Sequence, residues 1–352
     1  MLRQSPIIAA GAMLVSISAA HAGSPGAVSV VPPLPAGYNP TTASAGLNTR
    51  YAVPPEPDPA AAPRAHAAWT RAMHSVGRRH ASATIRPTNR RHTPIANKHA
   101  IAESNGIIAV QSANWSGTSI VGYPAAGLRA VTGMFVVPEA RQAKGECSVP
   151  KWASIWPGID GNGNSDILQA GVNAVALCVI DFNTGQGSVV GDYFPWVEWY
   201  PNYETVVSSP ALNPGDLVFI EVWNTSPTQG YASFYNYTTD ESAEYSITAP
   251  SGTALQDASV EWIVERPEGG GVLTPLANYV DVPWAEGVAW NYAASPTTTY
   301  LLGQSPSNAT LENFTMLDDD GNPVSAATIE NDTFLWFENS GSSCGGSGVS
   351  PC

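Results

Sequence analysis

The stretch that decides the fold is SVEWIVE, residues Ser259–Glu265. It is rich in β-branched and aromatic residues, so it predicts a β-strand. Successive side chains point to opposite faces of a strand, which places Glu261, Ile263 and Glu265 together on one face. Two carboxylates on one strand face are either exposed to solvent or line a cleft. The stretch therefore predicts a sheet with one apolar and one polar face.

Similar runs occur throughout the chain from about residue 107 onward, separated by turn-forming residues such as Asn213-Pro214-Gly215-Asp216. No convincing amphipathic helix is found among them. The pattern predicts an all-β fold, an antiparallel β-sandwich of two packed sheets with ten or more strands. The further predicted strands are Ala130–Val137, Trp152–Ile155, Tyr193–Tyr200, Leu217–Trp223, Tyr231–Tyr237 and Thr333–Phe337.

The N-terminus has the pattern of a signal peptide over residues 1–22. Arg3 is followed by an apolar run from Ile7 to about Ala20, and Ala20-His21-Ala22 has the small residues of a cleavage site. The run is too short for a convincing membrane span, and no second long apolar stretch follows. We expect a secreted protein that is not anchored in a membrane.

The chain has four cysteines, an even number that favours two disulfide bonds in an exported protein. Three pairings are possible, and loop closure favours Cys147–Cys178 and Cys344–Cys352.

Charge divides the remaining chain into two parts. Residues 23–105 carry 9 basic and 3 acidic side chains, whereas residues 106–352 carry 5 basic and 26 acidic ones. The basic part is either a disordered linker or a pro-segment that covers an acidic cleft as an intramolecular inhibitor. We expect a short helix around Ala65–Val76 in it, cleavage between Arg91 and Asn114, and a catalytic domain over residues 106–352. So acidic a domain does not suit nucleic-acid binding.

All six histidines lie at or before His99, so the acidic part contains none. This excludes Ser-His-Asp and Cys-His catalysis there, together with zinc sites built on histidine. The run Asp160–Asp166 resembles the start of a calcium loop, but Ser165 and Gly171 replace its required Gly and Glu. Aspartates and glutamates remain as the acid–base groups, with no metal.

Polar residues concentrate among aromatic ones in three segments, Ile155–Gly171, Trp196–Pro201 and Glu261–Pro267. Trp196 and Glu198 share one strand face. Gln169 lies in an otherwise apolar run, where an unpaired amide is costly to bury, so it requires a partner.

These segments resemble the glutamic peptidases, or eqolisins, from Asn114 to roughly the end of the chain. The W-x-G-I-D, L-Q-x-G, W-x-E-W-Y-P and E-(F/W)-I-(I/V)-E signatures of that family occur here in order and at similar spacing. The resemblance implies two antiparallel sheets in a lectin-like jelly roll with a concave cleft. It also implies an acid-active endopeptidase that cleaves proteins and peptides without a metal or cofactor.

The resemblance assigns the catalytic glutamine to Gln169 and the catalytic glutamate to Glu265, with Glu261 as the alternative glutamate. The family often has Asp four positions after the glutamine, where this chain has Asn173. That departure leaves the pH optimum open. Supporting residues of the family match Trp156, Asp160, Trp196 and Glu198.

Two other functions fit parts of the pattern. A glycoside hydrolase on a similar sandwich could use Glu198 and Glu265 as its two carboxylates. A non-catalytic carbohydrate-binding module would explain the tryptophans but gives Glu265 no role. The signature around Gln169 favours the peptidase, which we expect to be a monomer.

Overall fold

A computed structural model describes residues 26–76, 83–122, 127–143, 145–279, 281–291, 298–304 and 306–339. The predicted signal peptide and the predicted Cys344–Cys352 pair lie outside these residues.

The basic part of the chain contributes two helices and several short strands. They are β1 (Val28–Val30), α1 (Ala45–Arg50), α2 (Pro63–Val76), β2 (Ile85–Pro87), β3 (Arg90–Arg91) and β4 (His99–Ser104).

The acidic part is built from strands. They are β5 (Ile107–Ser112), β6 (Trp115–Val121), β7 (Ala130–Val136), β8 (Ala140–Arg141), β9 (Lys151–Ile159), β10 (Ile167–Ile180), β11 (Gly187–Tyr200), β12 (Thr205–Val207), β13 (Leu217–Ser226), β14 (Gln229–Asn236), β15 (Glu241–Thr248), β16 (Ser259–Glu265), β17 (Glu268–Gly269), β18 (Val272–Leu273), β19 (Asn278–Tyr279), β20 (Val282–Asn291), β21 (Thr298–Leu301), β22 (Thr310–Leu317), β23 (Pro323–Asn331) and β24 (Phe334–Asn339).

Most of these strands form one large sheet that doubles back on itself. A front layer runs β2-β12-β11-β10-β9-β16-β6-β22, and a back layer runs β24-β20-β7-β13-β14-β15-β1. Strand β23 pairs with both β22 and β24 and so joins the layers at one side. The predicted antiparallel β-sandwich is confirmed.

The core fills the space between the two layers. In β16, Trp262 and Val264 point into this core, and Glu261, Ile263 and Glu265 point to the other face, as the alternation predicts. The front layer is therefore apolar towards the core and carries polar groups on its outer face. Core residues from both layers include Ile155, Val172, Val197, Ile220, Val222 and Phe234.

Helix α2 covers the outer face of the back layer. It was expected around Ala65–Val76 and begins two residues earlier, with Pro63 in the first turn, where its missing N–H costs nothing. Trp69 is 1% exposed and packs in a cluster with Phe219 and Trp223 of β13. Its indole also donates to the Pro54 carbonyl at 2.8 Å. This half of the basic segment is held mainly by apolar contact.

Strands β4 and β5 form a hairpin at the side of the front layer. Strand β5 runs parallel to β22, whereas the other strand ladders of the described residues are antiparallel. A bulge interrupts the β4–β5 register at Ile101, and β4 is exposed along its whole length.

The predicted Cys147–Cys178 disulfide is present, with Cα atoms 5.0 Å apart. It ties the loop before β9 to the far end of β10. In the part of the chain that the structure describes, neither helix has the length and apolarity to cross a membrane.

Candidate active site

The polar groups of the front layer gather where β9, β10, β11 and β16 lie side by side. Gln169 of β10 is directly opposite Glu198 of β11, and both side chains are buried. Gly171 makes room beside them, because a Cβ there would lie 2.6 Å from Trp156 Cβ and 2.8 Å from Trp196 Cζ2. The glycine thus lets two indole rings share the floor of the site.

The basic segment lies directly on this floor. Strand β2 pairs with β12, strand β3 pairs with β17, and the Glu204 N–H donates to the Arg90 carbonyl at 2.7 Å. His92, the residue after β3, is fully buried, and its ring stacks on Trp196 with centroids 3.6 Å apart and planes 9° from parallel. The sequence interpretation placed every histidine outside the acidic part, yet His92 lies at the centre of its cleft.

The backbone on either side of the His92–Thr93 bond meets three side chains of the site. Gln169 Nε2 donates to the His92 carbonyl oxygen at 2.9 Å. The Thr93 N–H donates to Glu265 Oε1 at 3.0 Å, and the His92 N–H donates to Glu198 Oε2 at 3.0 Å. One peptide group is thereby held between the glutamine and the glutamate that the sequence singled out.

Both oxygens of Glu265 are engaged. Trp156 Nε1 donates to Oε2 at 2.8 Å, and His92 Nδ1 lies 3.1 Å from the same oxygen. Besides Thr93, Asn114 Nδ2 contacts Oε1 at 3.4 Å. Burial raises the pKa of Glu265, and the bonds from His92, Thr93 and Trp156 oppose that rise without cancelling it.

Glu204 is a site residue that the sequence did not reveal. Its Oε2 lies 2.9 Å from His92 Nε2 and accepts from Asn173 Nδ2 at 2.8 Å, while Arg90 contacts Oε1 at 3.4 Å. Although burial favours the neutral form, His92 and Arg90 hold the pKa of Glu204 below its ordinary value. Asn173, noted as a departure from the family pattern, here fixes this carboxylate.

The charge state of His92 follows from these contacts. Burial lowers the pKa of His92, but hydrogen bonds with Glu204 and Glu265 outweigh burial and raise it to about 9. The pKa of Glu198 is raised well above its ordinary value, chiefly by burial. His92 is thus a buried cation among carboxylates.

Two predicted site residues lie apart from this cluster. Asp160 is buried in the turn after β9 and accepts the N–H groups of Gln256, Asp257 and Ala258 at 2.6, 3.1 and 2.8 Å. It anchors the loop that leads into β16. Glu261 accepts from Ser119 at 3.2 Å, and no hydrogen bond joins it to Gln169 or Glu265 within the described residues.

Glu204 lies in the loop that follows the W-x-E-W-Y-P segment, and the residues next to it in the sequence form no motif that would identify it as functional. His92 belongs to a cluster of basic residues noted in the sequence, but its position in the cleft depends on how the whole segment packs. Across the described ranges, no three His, Cys, Asp or Glu side chains are arranged to share a metal ion.

Comparisons with known proteins agree with this arrangement. The sequence model of the Peptidase A4 family matches residues 113–334. Aspergillopepsin-2 of Aspergillus niger is 29% identical over 243 residues, which cover 63% of this chain and 76% of that protein. Scytalidopepsin B of Scytalidium lignicola is 28% identical over 158 residues, covering 45% of this chain and 53% of that one.

A similar fold is found among solved structures. The crystal structure of scytalido-glutamic peptidase with a transition state analog inhibitor aligns with a TM-score of 0.51 and 22% identity. The alignment covers 64% of this chain and 98% of that one. At this identity the likeness shows the fold.

Proposed function

This chain belongs to the Peptidase A4 family and is a glutamic endopeptidase, and we propose that it cleaves proteins at acid pH through a Glu265–Gln169 dyad. The observation that carries the proposal is the pair of hydrogen bonds on the His92–Thr93 peptide group. Gln169 donates to the carbonyl oxygen, and Glu265 accepts from the adjoining N–H. During peptide hydrolysis, negative charge develops on the carbonyl oxygen, and the nitrogen must receive a proton before it leaves.

Glu265 is assigned the roles of general base and then general acid. As a carboxylate it removes a proton from the water that attacks the scissile carbonyl, and it then delivers that proton to the leaving nitrogen. The leaving N–H of a bound peptide lies next to Oε1, if the substrate follows the path of the basic segment. Trp156 holds Oε2 and so fixes the orientation of the carboxylate.

Gln169 is assigned the stabilisation of the oxyanion. Its amide is a neutral donor that does not titrate in acid, and it needs no reorganisation because the neighbouring strand holds it opposite Glu198. Its Oε1 has no hydrogen-bond partner in the described part of the chain. That oxygen is available to accept a hydrogen bond from the attacking water, whose proton goes to Glu265.

Acid activity follows from the kind of groups present. Burial raises the pKa of Glu265, but a carboxylate still ionises in the acid range where a free histidine is fully protonated and cannot act as a base. The acidic part, residues 106–352, carries no histidine. The acid–base chemistry therefore rests on carboxylates.

The basic segment is proposed to inhibit the enzyme until it is removed, and the protein is proposed to be secreted. Inhibition is supported by the buried His92, which occupies the cleft between Glu204 and Glu265. Further ion pairs join Arg91 to Glu268 and Lys98 to Glu312. The family match favours this peptidase over the glycoside hydrolase and the carbohydrate-binding module.

The test is casein cleavage by acid-incubated full-length chain, measured across pH for the wild type, Glu265→Gln and Gln169→Ala. Loss of the general base is expected to reduce kcat/KM by about 10²–10⁴. Loss of the oxyanion donor is expected to reduce it by about 10²–10³. Cleavage should be confined to acid pH and unaffected by chelators.

Glu261→Gln is the matched control, since Glu261 lies on the same strand face and is equally buried. It should retain far more activity than Glu265→Gln. If instead Glu261→Gln abolishes cleavage and Glu265→Gln does not, the base is Glu261 and the proposed dyad is wrong.

A further inference from the structure

We infer that the enzyme cuts its own chain at the His92–Thr93 bond, an inference that rests on the proposed function. The two hydrogen bonds that define a scissile peptide in that proposal are already made to this bond. Gln169 Nε2 lies 2.9 Å from the His92 carbonyl oxygen, and Glu265 Oε1 lies 3.0 Å from the Thr93 nitrogen. His92 is thus the residue before the cut and Thr93 the residue after it.

The segment is bound on both sides of this bond as an extended substrate would be. Before the bond, the His92 N–H donates to Glu198 and the Arg90 carbonyl accepts from the Glu204 N–H. After it, Asn114 donates to the Thr93 carbonyl at 3.3 Å, and its Oδ1 accepts from the Ala96 N–H at 2.8 Å. These bonds go to main-chain groups of the segment, as in the binding of an extended peptide, and most of their partners are side chains of the site.

The side chain of His92 fixes the register. Its ring is stacked on Trp196 and is held at Nε2 by Glu204, with no exposed surface. A shift of the segment by one residue would reverse the direction of every side chain in an extended strand. The His92 ring therefore keeps this one bond over Gln169 and Glu265.

The same ring also delays the reaction. His92 Nδ1 and Trp156 Nε1 both contact Glu265 Oε2, and Thr93 and Asn114 contact Oε1. Water can reach the carboxylate only after the imidazole turns away from Oε2. The docked segment is therefore a slow substrate, which explains how it could inhibit and still be cleaved.

The chemical step needs only water. A water oxygen bonds to the His92 carbonyl carbon while Glu265 takes one of its protons, and Gln169 stabilises the oxyanion. The bond from that carbon to the Thr93 nitrogen then breaks, and Glu265 returns the proton to the nitrogen. The products are a new carboxyl group on His92 and a new amine on Thr93.

Cleavage of this bond breaks the covalent link between the part of the basic segment up to His92 and the sandwich, and the main sheet stays intact. Strand β5, which pairs with β22, stays on the side of Thr93. The new His92 carboxyl group lies next to Glu265, and two carboxylates at that distance repel when both are ionised. Departure of the N-terminal part is then favoured over religation.

The experiment is acid incubation of the full-length wild-type chain, followed by N-terminal sequencing and intact-mass measurement over time. The first new N-terminus is expected at Thr93, with a fragment that ends at His92. The rate constant should not change over a hundredfold dilution, because the bond is already bound to the site that cuts it.

Thr93→Pro removes the N–H that aligns the leaving nitrogen with Glu265, so acid–base catalysis at this bond is lost and the cut should slow at least about 100-fold. Ile101→Pro is the matched control, since Ile101 is 52% exposed at the bulge in β4, and the cut after His92 should persist. Suppose that the chain cleaves casein, but its first self-cut lies elsewhere or its self-cleavage rate increases with protein concentration. That result would overturn this inference and leave the proposed function standing. Absence of any cleavage of casein or of the chain itself would overturn the proposed function.

Discussion

The basic segment binds the sandwich through two regions of opposite character. The helix contact, made by α2 on the back layer, buries Trp69, Ala72 and Met73 against aromatic residues. The cleft contact, made by residues 85–93 on the front layer, buries a histidine among carboxylates. Apolar burial is non-directional and gives affinity, whereas charge pairs specify register. The helix contact thus supplies attachment, and the cleft contact decides which bond faces the dyad.

The comparison is sharpened by the titratable groups beneath each region. Glu221 lies on the outer face of β13 between Phe219 and Trp223, opposite Ser233, and Glu244 lies beyond that serine on β15. Burial, and then the charge of Glu244, raises the pKa of Glu221 well above its ordinary value. In the cleft contact, by contrast, the pKa of Glu204 is lowered. Glu221 and Glu204 therefore contribute to stability with opposite dependence on pH, while Glu198 and Glu265 in the cleft contact share the raised pKa of Glu221.

The largest effect is expected from Trp69→Ala in the helix contact. Removing a fully buried indole leaves a cavity and should lower the free energy of unfolding of the full-length chain by about 3–5 kcal/mol. Urea denaturation monitored by circular dichroism measures it. A loss below about 1 kcal/mol would mean that α2 contributes little to attachment and would remove the distinction between the two regions.

A smaller effect is expected from Glu204→Gln in the cleft contact. His92 would lose a charged hydrogen-bond partner, which typically costs about 1.5–3 kcal/mol. The raised pKa of His92 stabilises docking below its ordinary value of 6.5, and this contribution is lost as pH rises through about 9. The lowered pKa of Glu204 stabilises docking above its ordinary value of 4.5, and this contribution is lost as pH falls through the lowered pKa.

The loss of docking stability in Glu204→Gln, relative to the wild type, should therefore be largest between pH 4.5 and 6.5. Hydrogen exchange of the amides of residues 85–93 measures it. Glu268→Gln is the control, because its ion pair with Arg91 is partly exposed and should be worth no more than about 1 kcal/mol. Equal losses of docking stability in both variants would show that the buried His92–Glu204 pair contributes no more than the partly exposed Arg91–Glu268 pair.

The smallest effect, with the opposite sign, is expected from Glu221→Gln. Since the folded-state pKa of Glu221 is raised, ionisation destabilises the packed chain as pH increases through it. The amide removes that cost, so Tm should rise by about 2–4 °C at pH 7 and the gain should vanish in acid. Glu338→Gln, at an exposed position of β24, should show no such gain. A gain that persists at acid pH would contradict this explanation.

Much of the sandwich could be predicted from local pattern. The strand Ser259–Glu265 has the predicted bounds, and the run predicted at Ala130–Val137 ends one residue earlier. Alternation alone puts Glu265 and Trp262 on opposite faces, because that depends only on the strand itself. The partner that Gln169 required is also found, in the His92 carbonyl.

The parts that could not be predicted depend on contacts between distant segments. Glu204 gains its role only because His92 and Asn173, 112 and 31 residues away in sequence, converge on one carboxylate. Asp160 is the converse case. It belongs to a recognised motif, but in the structure it holds the loop before β16 and does not touch the dyad. The assignment of Gln169 and Glu265 as the catalytic pair stays a prediction.

The bulge in β4 has a consequence for how the protein behaves when concentrated. A hairpin strand exposed along its length offers unpaired backbone groups to any neighbouring chain, which is the usual start of fibril growth. The irregular register at Ile101 breaks that template in the middle, and the charged Glu103 follows two residues later. The bulge and the charge thereby oppose pairing of this edge with a strand of a second molecule.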